Sequence, residues 1–244
     1  MANEIKDSLT CQICQGYLKP IYSGIIRDGK DGRIESIIYE CQECNVQRLR
    51  ESDCKQLSDY IGSEYRDSLK QPQSASDFHR EYDQDQYERI KFIGYENIRG
   101  KDICDIGCSY GTFMDHIAGI ANMIYGIEPN DQCRRQNRWA SRSEIKDAWH
   151  FFDVVTSFLT IEHIDNPLEF VKKCRSILKL GGKLVISTPI KVQPLETYYR
   201  TQHRWYFNGM SLKELFKKVG FNDIYYEIIT NRHGKFIYMA GVND

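Results

Sequence analysis

Residues 103–113 read ICDIGCSYGTF: an apolar run that ends in a carboxylate, two glycines four apart, then the start of a helix-like segment. Such a stretch closes a strand and turns at once into a helix, and it sets the rhythm of everything after it. KDICDI is a strand and GTFMDHIAGI a helix; NMIYGI is a strand and DQCRRQNRWA a helix; FDVVTSF is a strand and NPLEFVKKCRSILK a helix. That last helix has its start signals in order: Asn166 to cap it, Pro167 in the first turn, Glu169 at the capping-box position. GGK ends it, KLVISTP is a strand, and SLKELFKKVG is a helix closed by glycine. FNDIYYEIIT and KFIYMAGV follow as two strands joined by NRHG. Strands alternating with helices imply a parallel sheet covered on both faces. A turn as short as NRHG makes the last pair antiparallel.

In a sheet of this kind, ligands bind beyond the carboxyl ends of the strands. Asp105 lies near the end of the first strand, and Gly107 and Gly111 let the backbone turn tightly and approach a ligand closely. Ser109 stands where a middle glycine is often found. The spacing is not that of a pyrophosphate-binding GxGxxG loop, and a carboxylate beside the loop repels a diphosphate. It suits a cationic group such as an α-amine. Glu128, in YGIEPN, comes 23 residues later at the next strand's carboxyl end. A carboxylate there accepts hydrogen bonds from vicinal ribose hydroxyls. The ligand inferred has an amino-acid end and a ribose end; S-adenosylmethionine (SAM) has both.

Five stretches in order, CDIGCSYGTF, YGIEPN, FDVVTSFLTIEHIDNP, LKLGGKLVISTP and KELFKKVGF, cover roughly residues 80–240. Together they resemble the class I SAM-dependent methyltransferases, in particular the small-molecule branch related to ubiquinone biosynthesis. The resemblance implies a Rossmann-like α/β fold with a seven-stranded sheet of order 3-2-1-4-5-7-6, strand 7 antiparallel. It implies SAM above Gly107, with Asp105 or the backbone near its methionyl end and Glu128 on its ribose. Cys108, Ser109, Gly111, Phe113, Pro129 and Phe158 would surround it. Tyr82, on an amphipathic helix over 77–93, either covers the cofactor or packs that helix. There is one departure: only 24 residues lie between Glu128 and Asp153. SEIKDAWH must then serve as a compressed third strand and crossover, with Asp147 and Ala148 against the adenine.

Methyl transfer from a sulfonium is a direct displacement, so the protein mainly aligns nucleophile, carbon and sulfur. A hydroxyl nucleophile is helped by a general base, and histidine titrates near neutral pH. Of six histidines, His163 in IEHIDNP sits over the methyl donor in the family pattern. His203 lies in VQPLETYYRTQHRWYFN, the long connection after the fifth strand, where such folds build the acceptor pocket. Each is a candidate base or a structural residue. Tyr198, Tyr199, Arg204 and Trp205 of the same connection are candidates to stack on a sugar ring or to hold a phosphate, or else pack the insert itself.

Four of the nine cysteines, Cys11, Cys14, Cys41 and Cys44, form C-x2-C…C-x2-C. Four thiolates in two tight knuckles give the closed tetrahedral coordination of structural zinc. IYSGIIR and RIESIIYE, around DGKDG, make a hairpin between the knuckles. Residues 1–54 therefore resemble a zinc ribbon, 55–76 read as a polar linker, and 77–244 form the methyltransferase-type domain. A ribbon this short has too little core to fold without its metal. Cys104, Cys108, Cys133 and Cys174 read as small buried apolar residues, and Cys54 is a spare.

The net charge of −1 argues for neither a polyanion nor an acidic membrane as partner. No apolar run approaches the roughly 20 residues that span a bilayer, and MANEIKDSLT lacks the apolar centre of a signal peptide. The expectation is a cytoplasmic protein with reduced thiols. Zinc ribbons often touch nucleic acid, which makes an RNA methyltransferase the rival reading. Residues 1–70 carry ten Lys/Arg against twelve Asp/Glu, a poor surface for a phosphate backbone. The Asn/Asp-Pro-Pro-aromatic signature of base amino-group methylation is missing after the fourth strand. The favoured acceptor is a small polar metabolite, a hydroxyl of a sugar or nucleotide-sugar in surface polysaccharide biosynthesis. A non-catalytic SAM-binding module that recruits a protein partner through the ribbon is the third reading.

Overall fold

The computed structural model describes residues 9–62, 64–145, 151–190 and 198–244. The chain begins with an antiparallel hairpin of β1 (Leu18–Asp28) and β2 (Gly32–Cys41), to which β3 (Gln47–Leu49) adds beside β2. Four helices follow: α1 (Leu57–Ile61), α2 (Glu64–Ser68), α3 (Ala75–Tyr82) and α4 (Asp85–Ile93). Strands and helices then alternate as β4 (Asp102–Ile106), α5 (Thr112–Ile117), β5 (Met123–Ile127), α6 (Asp131–Gln136), β6 (Ala140–Arg142), β7 (Phe152–Phe158), α7 (Pro167–Ser176) and β8 (Leu178–Pro189). The chain ends with β9 (Trp205–Tyr206), α8 (Gly209–Val219), β10 (Asn222–Asn231) and β11 (Gly234–Asn243).

Seven strands form one sheet in the order β10-β11-β8-β7-β4-β5-β6. Counted from β6, this is the expected 3-2-1-4-5-7-6, and β11 runs antiparallel to both neighbours. Alternation along the central strands feeds two cores. Ile103, Val154 and Val185 pack on one face, and Cys104, Val155, Leu184 and Ile186 on the other. From β4 the sheet grows outward through β5 and β6; from β7 it grows the opposite way through β8. The crevice of the sheet therefore opens between the carboxyl ends of β4 and β7, at the point where the direction reverses.

Local signals set the helix ends. Asn166 Oδ1 accepts from Glu169 N at 3.1 Å with Pro167 in the first turn, and Gly220 ends α8 at φ +87°. Three expectations are corrected. The single helix over 77–93 is two, broken at Asp83–Gln84. α7 stops at Ser176, ahead of GGK, because β8 already pairs at Leu178. The third strand is Ala140–Arg142, ahead of SEIKDAWH. It comes early because Asn137 leaves the helix in an extended conformation, and its Oδ1 accepts from Trp139 N at 2.9 Å. Asp147 and Ala148 lie outside the described residues.

A second sheet has the order β1-β2-β3-β9. Its last strand comes from the long connection after β8, pairing Gln47 with Tyr206 and Arg48 with Trp205. Side chains add to this seam. Tyr199 Oη donates to Gln47 Oε1 (2.9 Å), Thr201 Oγ1 donates to Asp28 Oδ1 (2.6 Å), and Arg204 pairs with Glu51. The ribbon's own core, including Cys11, Ile13, Leu18 and Val46, is continuous with the body through Trp205 and Phe207. The stretch 55–76, expected as a linker, carries α1, α2 and the start of α3. It is tied to the body where Asn130 Nδ2 donates to the carbonyls of Tyr60 and Gly62, both at 3.0 Å. No described helix is long and apolar enough to cross a membrane.

Candidate functional site

A cavity of about 730 Å³ sits over the crevice, a size suited to a small organic ligand. Its floor is the loop after β4. Gly107 has φ +76°, and a Cβ there would lie 2.2 Å from Thr160 Oγ1. Ser109 adopts φ +51°, unusual for a residue with a side chain. Its contacts hold it there: the backbone N–H donates to Glu128 Oε2 at 2.7 Å, and Oγ accepts from Arg66 Nη2 at 2.7 Å. Glu128 is buried, and its other oxygen accepts from Asn130 N at 2.8 Å. A carboxylate has about four lone-pair sites, so two backbone bonds leave capacity for a ligand's hydroxyls. Burial pushes the Glu128 pKa up, and the two backbone bonds oppose that rise. Asp105, also buried, accepts from Thr156 Oγ1 at 2.7 Å. Burial lifts its pKa to about 7, against the pull of Thr156 and of the Arg89 charge.

Nine residues expected on the cofactor line this cavity: Tyr82, Asp105, Gly107, Cys108, Ser109, Phe113, Glu128, Pro129 and Phe158. Gly111 stands behind the lining, at the cap of α5 with φ +88°, where a Cβ would meet the Asn137 side chain. Three cavity arginines escaped the sequence reading: Arg66, Arg89 and Arg200. Arg66 lies over the rings of Phe78 (5.2 Å) and Tyr110 (4.9 Å), and Arg89 over Phe158 (4.4 Å). Arg66 Nη1 and Arg89 Nε are buried without a partner among the described residues. For Arg66 and Arg89 the only sequence signal was a cation on the helices ahead of the first strand, in stretches read as linker and packing helix.

The far wall is built from the loop after β7 and the connection after β8. His163 Nδ1 lies 2.5 Å from the carbonyl of Gln202, which also accepts from Tyr60 Oη at 2.8 Å. A carbonyl only accepts, so Nδ1 carries the proton and Nε2 is the ring's acceptor nitrogen. Burial lowers the His163 pKa to about 4 and pushes His203 well below its ordinary value, so both rings are neutral at pH 7. Their centroids are 5.1 Å apart. Burial raises Glu162 to about 8, although its Oε2 accepts from Thr188 Oγ1 at 3.1 Å. The ligand atoms of Glu162, His163 and His203 all lie within 4.8 Å of one another. Tyr198, Arg200 and His203 line the cavity as well.

Three residues expected on the acceptor do not line the cavity. Tyr199 is fully buried against the ribbon, where its hydroxyl meets Gln47. Arg204 turns to Glu51 and to Asp165 (2.8 Å). Trp205 Nε1 donates to the carbonyl of Ile164 at 2.8 Å. All three fasten the connection in place.

The four ribbon thiols also lie within 4.8 Å of one another, with Cys11–Cys44 Sγ atoms 3.8 Å apart and Cys14–Cys41 3.3 Å. Four sulfurs around zinc at about 2.3 Å stand about 3.8 Å apart. Both knuckles make the same turn: Gln15 N donates to Cys11 O and Asn45 N to Cys41 O, each at 3.0 Å. Gln15 and Asn45 are both left-handed, at φ +66° and +57°. Soft donors, spacing and closed geometry fit a structural zinc.

The methyltransferase domain family matches residues 77–226. A ubiquinone biosynthesis O-methyltransferase from Coxiella burnetii is 29% identical over 115 residues, 41% of this chain and 49% of that protein. A tRNA U34 carboxymethyltransferase from Pseudomonas fluorescens is 26% identical over 154 residues, 52% of this chain and 48% of that protein. The chain thus spans about half the length of the curated relatives it matches. Magnesium protoporphyrin IX methyltransferase from Synechocystis, solved with bound SAH, superposes with a TM-score of 0.57 at 13% identity, covering 67% of this chain and 84% of that one. That likeness is one of fold. The glycine loop and both strand-tip carboxylates lie within the matched segment, which covers more than half of the chain, and the chain belongs to the methyltransferase domain family.

Proposed function

We propose that the chain transfers the methyl group of SAM to a hydroxyl of a small polar acceptor, a sugar or nucleotide-sugar of the kind used in surface polysaccharides. One observation carries this reading: Asp105 and Glu128, at the tips of adjacent strands, flank the Gly107 loop in a single cavity. In this reading Asp105 meets the donor's ammonium group, Arg89 its carboxylate and Glu128 its ribose hydroxyls. The donor brings its own electrophilic carbon. The protein's part is to hold the acceptor in line with it and to take up the hydroxyl proton. In this reading His163 Nε2 takes that proton, its tautomer fixed through the Gln202 carbonyl. The Cys11, Cys14, Cys41 and Cys44 thiolates would hold one zinc as a structural cross-link between the two knuckles, leaving the transfer to the residues of the cavity. The tRNA-modifying relative favours RNA as a second reading; RNA binding that weakens steeply with salt would support it.

Two measurements test the main reading. Glu128→Ala should weaken SAM binding by at least about tenfold in calorimetry, because it removes the ribose acceptor and orphans the Ser109 and Asn130 N–H groups. Unchanged affinity removes the ribose assignment. His163→Ala should lower turnover by roughly 10²-fold or more, with SAM affinity nearly constant. With its pKa near 4, His163 stays unprotonated from neutral pH down to about 5, so its own titration costs no rate until the pH falls towards 4. A His163→Ala chain with wild-type turnover would show that the transfer needs no base there.

A further inference from the structure

We propose that the acceptor bears a phosphate-type oxyanion, seated on the guanidinium of Arg200 and the hydroxyl of Tyr198 beside His163 and His203. This names the substrate class and rests on the methyl-transfer reading above. The main chain of Arg200 is clamped. Its N–H donates to Tyr206 Oη (2.8 Å), the same hydroxyl donates back to the Arg200 carbonyl (2.9 Å), and residue 200 bridges Arg27 of β1. The guanidinium is not: it lines the cavity with no carboxylate and no hydrogen-bond partner among the described residues, and its Nε is buried and unpartnered.

The surroundings leave that positive charge unbalanced. Glu162 is the nearby acid, and burial keeps it protonated up to about pH 8. Both histidines are neutral, their pKa values lowered by burial and further by the Arg200 charge. A second guanidinium adds to the field: burial and then the charges of Arg200 and Arg33 lower the Arg27 pKa. Tyr198 is buried, and its Oη has no partner among the described residues. Burial raises its pKa, so it remains a donor at neutral pH. The wall thus offers a planar cationic fork and a hydroxyl donor with no anion to meet them. Phosphate oxygens are the complement of such a set, since a guanidinium pairs with them in bidentate fashion and the dianion answers two neighbouring arginines. A divalent cation held by Glu162, His163 and His203 is the opposite use of this wall. It would require Glu162 to ionise and the metal to sit beside an unbalanced guanidinium.

The test is calorimetry on the full chain saturated with SAH, so that Arg66 and Arg89 are covered, with inorganic phosphate, pyrophosphate and acetate as probes. Phosphate and pyrophosphate should bind, and acetate more weakly. Arg200→Gln should weaken phosphate binding at least about tenfold, Arg200→Lys less, and Tyr198→Phe a few-fold, with SAH affinity unchanged. The Tyr198→Phe chain keeps the packed ring, so its loss reports the hydroxyl and not the fold. Phosphate affinity unchanged in a folded Arg200→Gln chain, or no phosphate binding to the SAH complex, overturns the proposal and leaves methyl transfer standing. Acetate binding as tightly as phosphate overturns the phosphate assignment. So does Mn²⁺ binding that Glu162→Gln abolishes. If SAH itself does not bind, the methyl-transfer reading falls and takes this one with it.

Discussion

A Gly107→Ala chain should bind SAM at least about a hundredfold more weakly than the native chain and should melt several degrees lower. Two costs add. At φ +76° an L-residue is strained by roughly 1–2 kcal/mol. The new Cβ would also lie 2.2 Å from Thr160 Oγ1, a separation that neither atom tolerates. If Thr160 gives way, it leaves its bond to the Phe158 carbonyl (3.1 Å). If the loop gives way, it carries Ser109 N off Glu128 Oε2. Overpacking of this kind costs about 1–3 kcal/mol more. Both escapes move the surface on which the donor lies, so the binding loss should exceed what the stability loss alone implies. Adding Thr160→Ala should recover the steric part and leave the backbone strain. Calorimetry with SAH and thermal melting of both chains check this. Native affinity in the single variant would mean that the loop is not pressed against the ligand.

Much of the sheet was legible because its central strands, buried on both faces, read as short runs rich in apolar residues that alternate with helix-like segments. The third strand was not. ASR contains no apolar run, and it pairs with β5 only at Gly126–Ala140 and Ile127–Arg142, across an irregularity. Its position follows from where Asn137 ends α6, a matter of one side chain's hydrogen bonds. That Asp105, Gly107 and Glu128 meet in one cavity was legible for a related reason. Asp105, Gly107 and Glu128 are set by strand ends, and strand ends are local. The acceptor wall was harder. Tyr199, Arg204 and Trp205 have the composition of a binding loop, but their partners include Gln47, Arg48 and Glu51, some 150 residues upstream. Nothing in the local sequence records that a two-residue strand will join the ribbon. Arg66 was hidden by its setting, a polar stretch in which one more cation carries no signal until Phe78 and Tyr110 fold beneath it.

That same pairing of β3 with β9 gives the ribbon an expected effect far from its cysteines. Cys11→Ser and Cys44→Ser chains should lose their zinc, and backbone amides at Gln47–Leu49 and Trp205–Tyr206 should then exchange with solvent much faster. Ile13, Leu18 and Val46 share one buried cluster with Cys11, Cys41 and Cys44, so losing the metal should loosen the ribbon's core as well as its knuckles. Without the ribbon, the bonds from Tyr199 to Gln47, Thr201 to Asp28 and Arg204 to Glu51 have no partner on one side. The segment that bears those anchors also carries Tyr198, Arg200 and His203. The donor side, built on β4 and β5, has no such dependence. We therefore expect phosphate binding, and with it turnover, to fall by about a hundredfold or more in the zinc-free chains, while SAH affinity changes by less than about threefold. A ribbon that served only to dock a partner would leave the acceptor wall untouched, with phosphate and SAH affinity both unchanged in the zinc-free chains. Metal analysis should find one zinc per native chain. Intact amide protection at Arg48 and Trp205 in a metal-free Cys11→Ser chain would show instead that β9 holds the ribbon sheet without help from the thiolates.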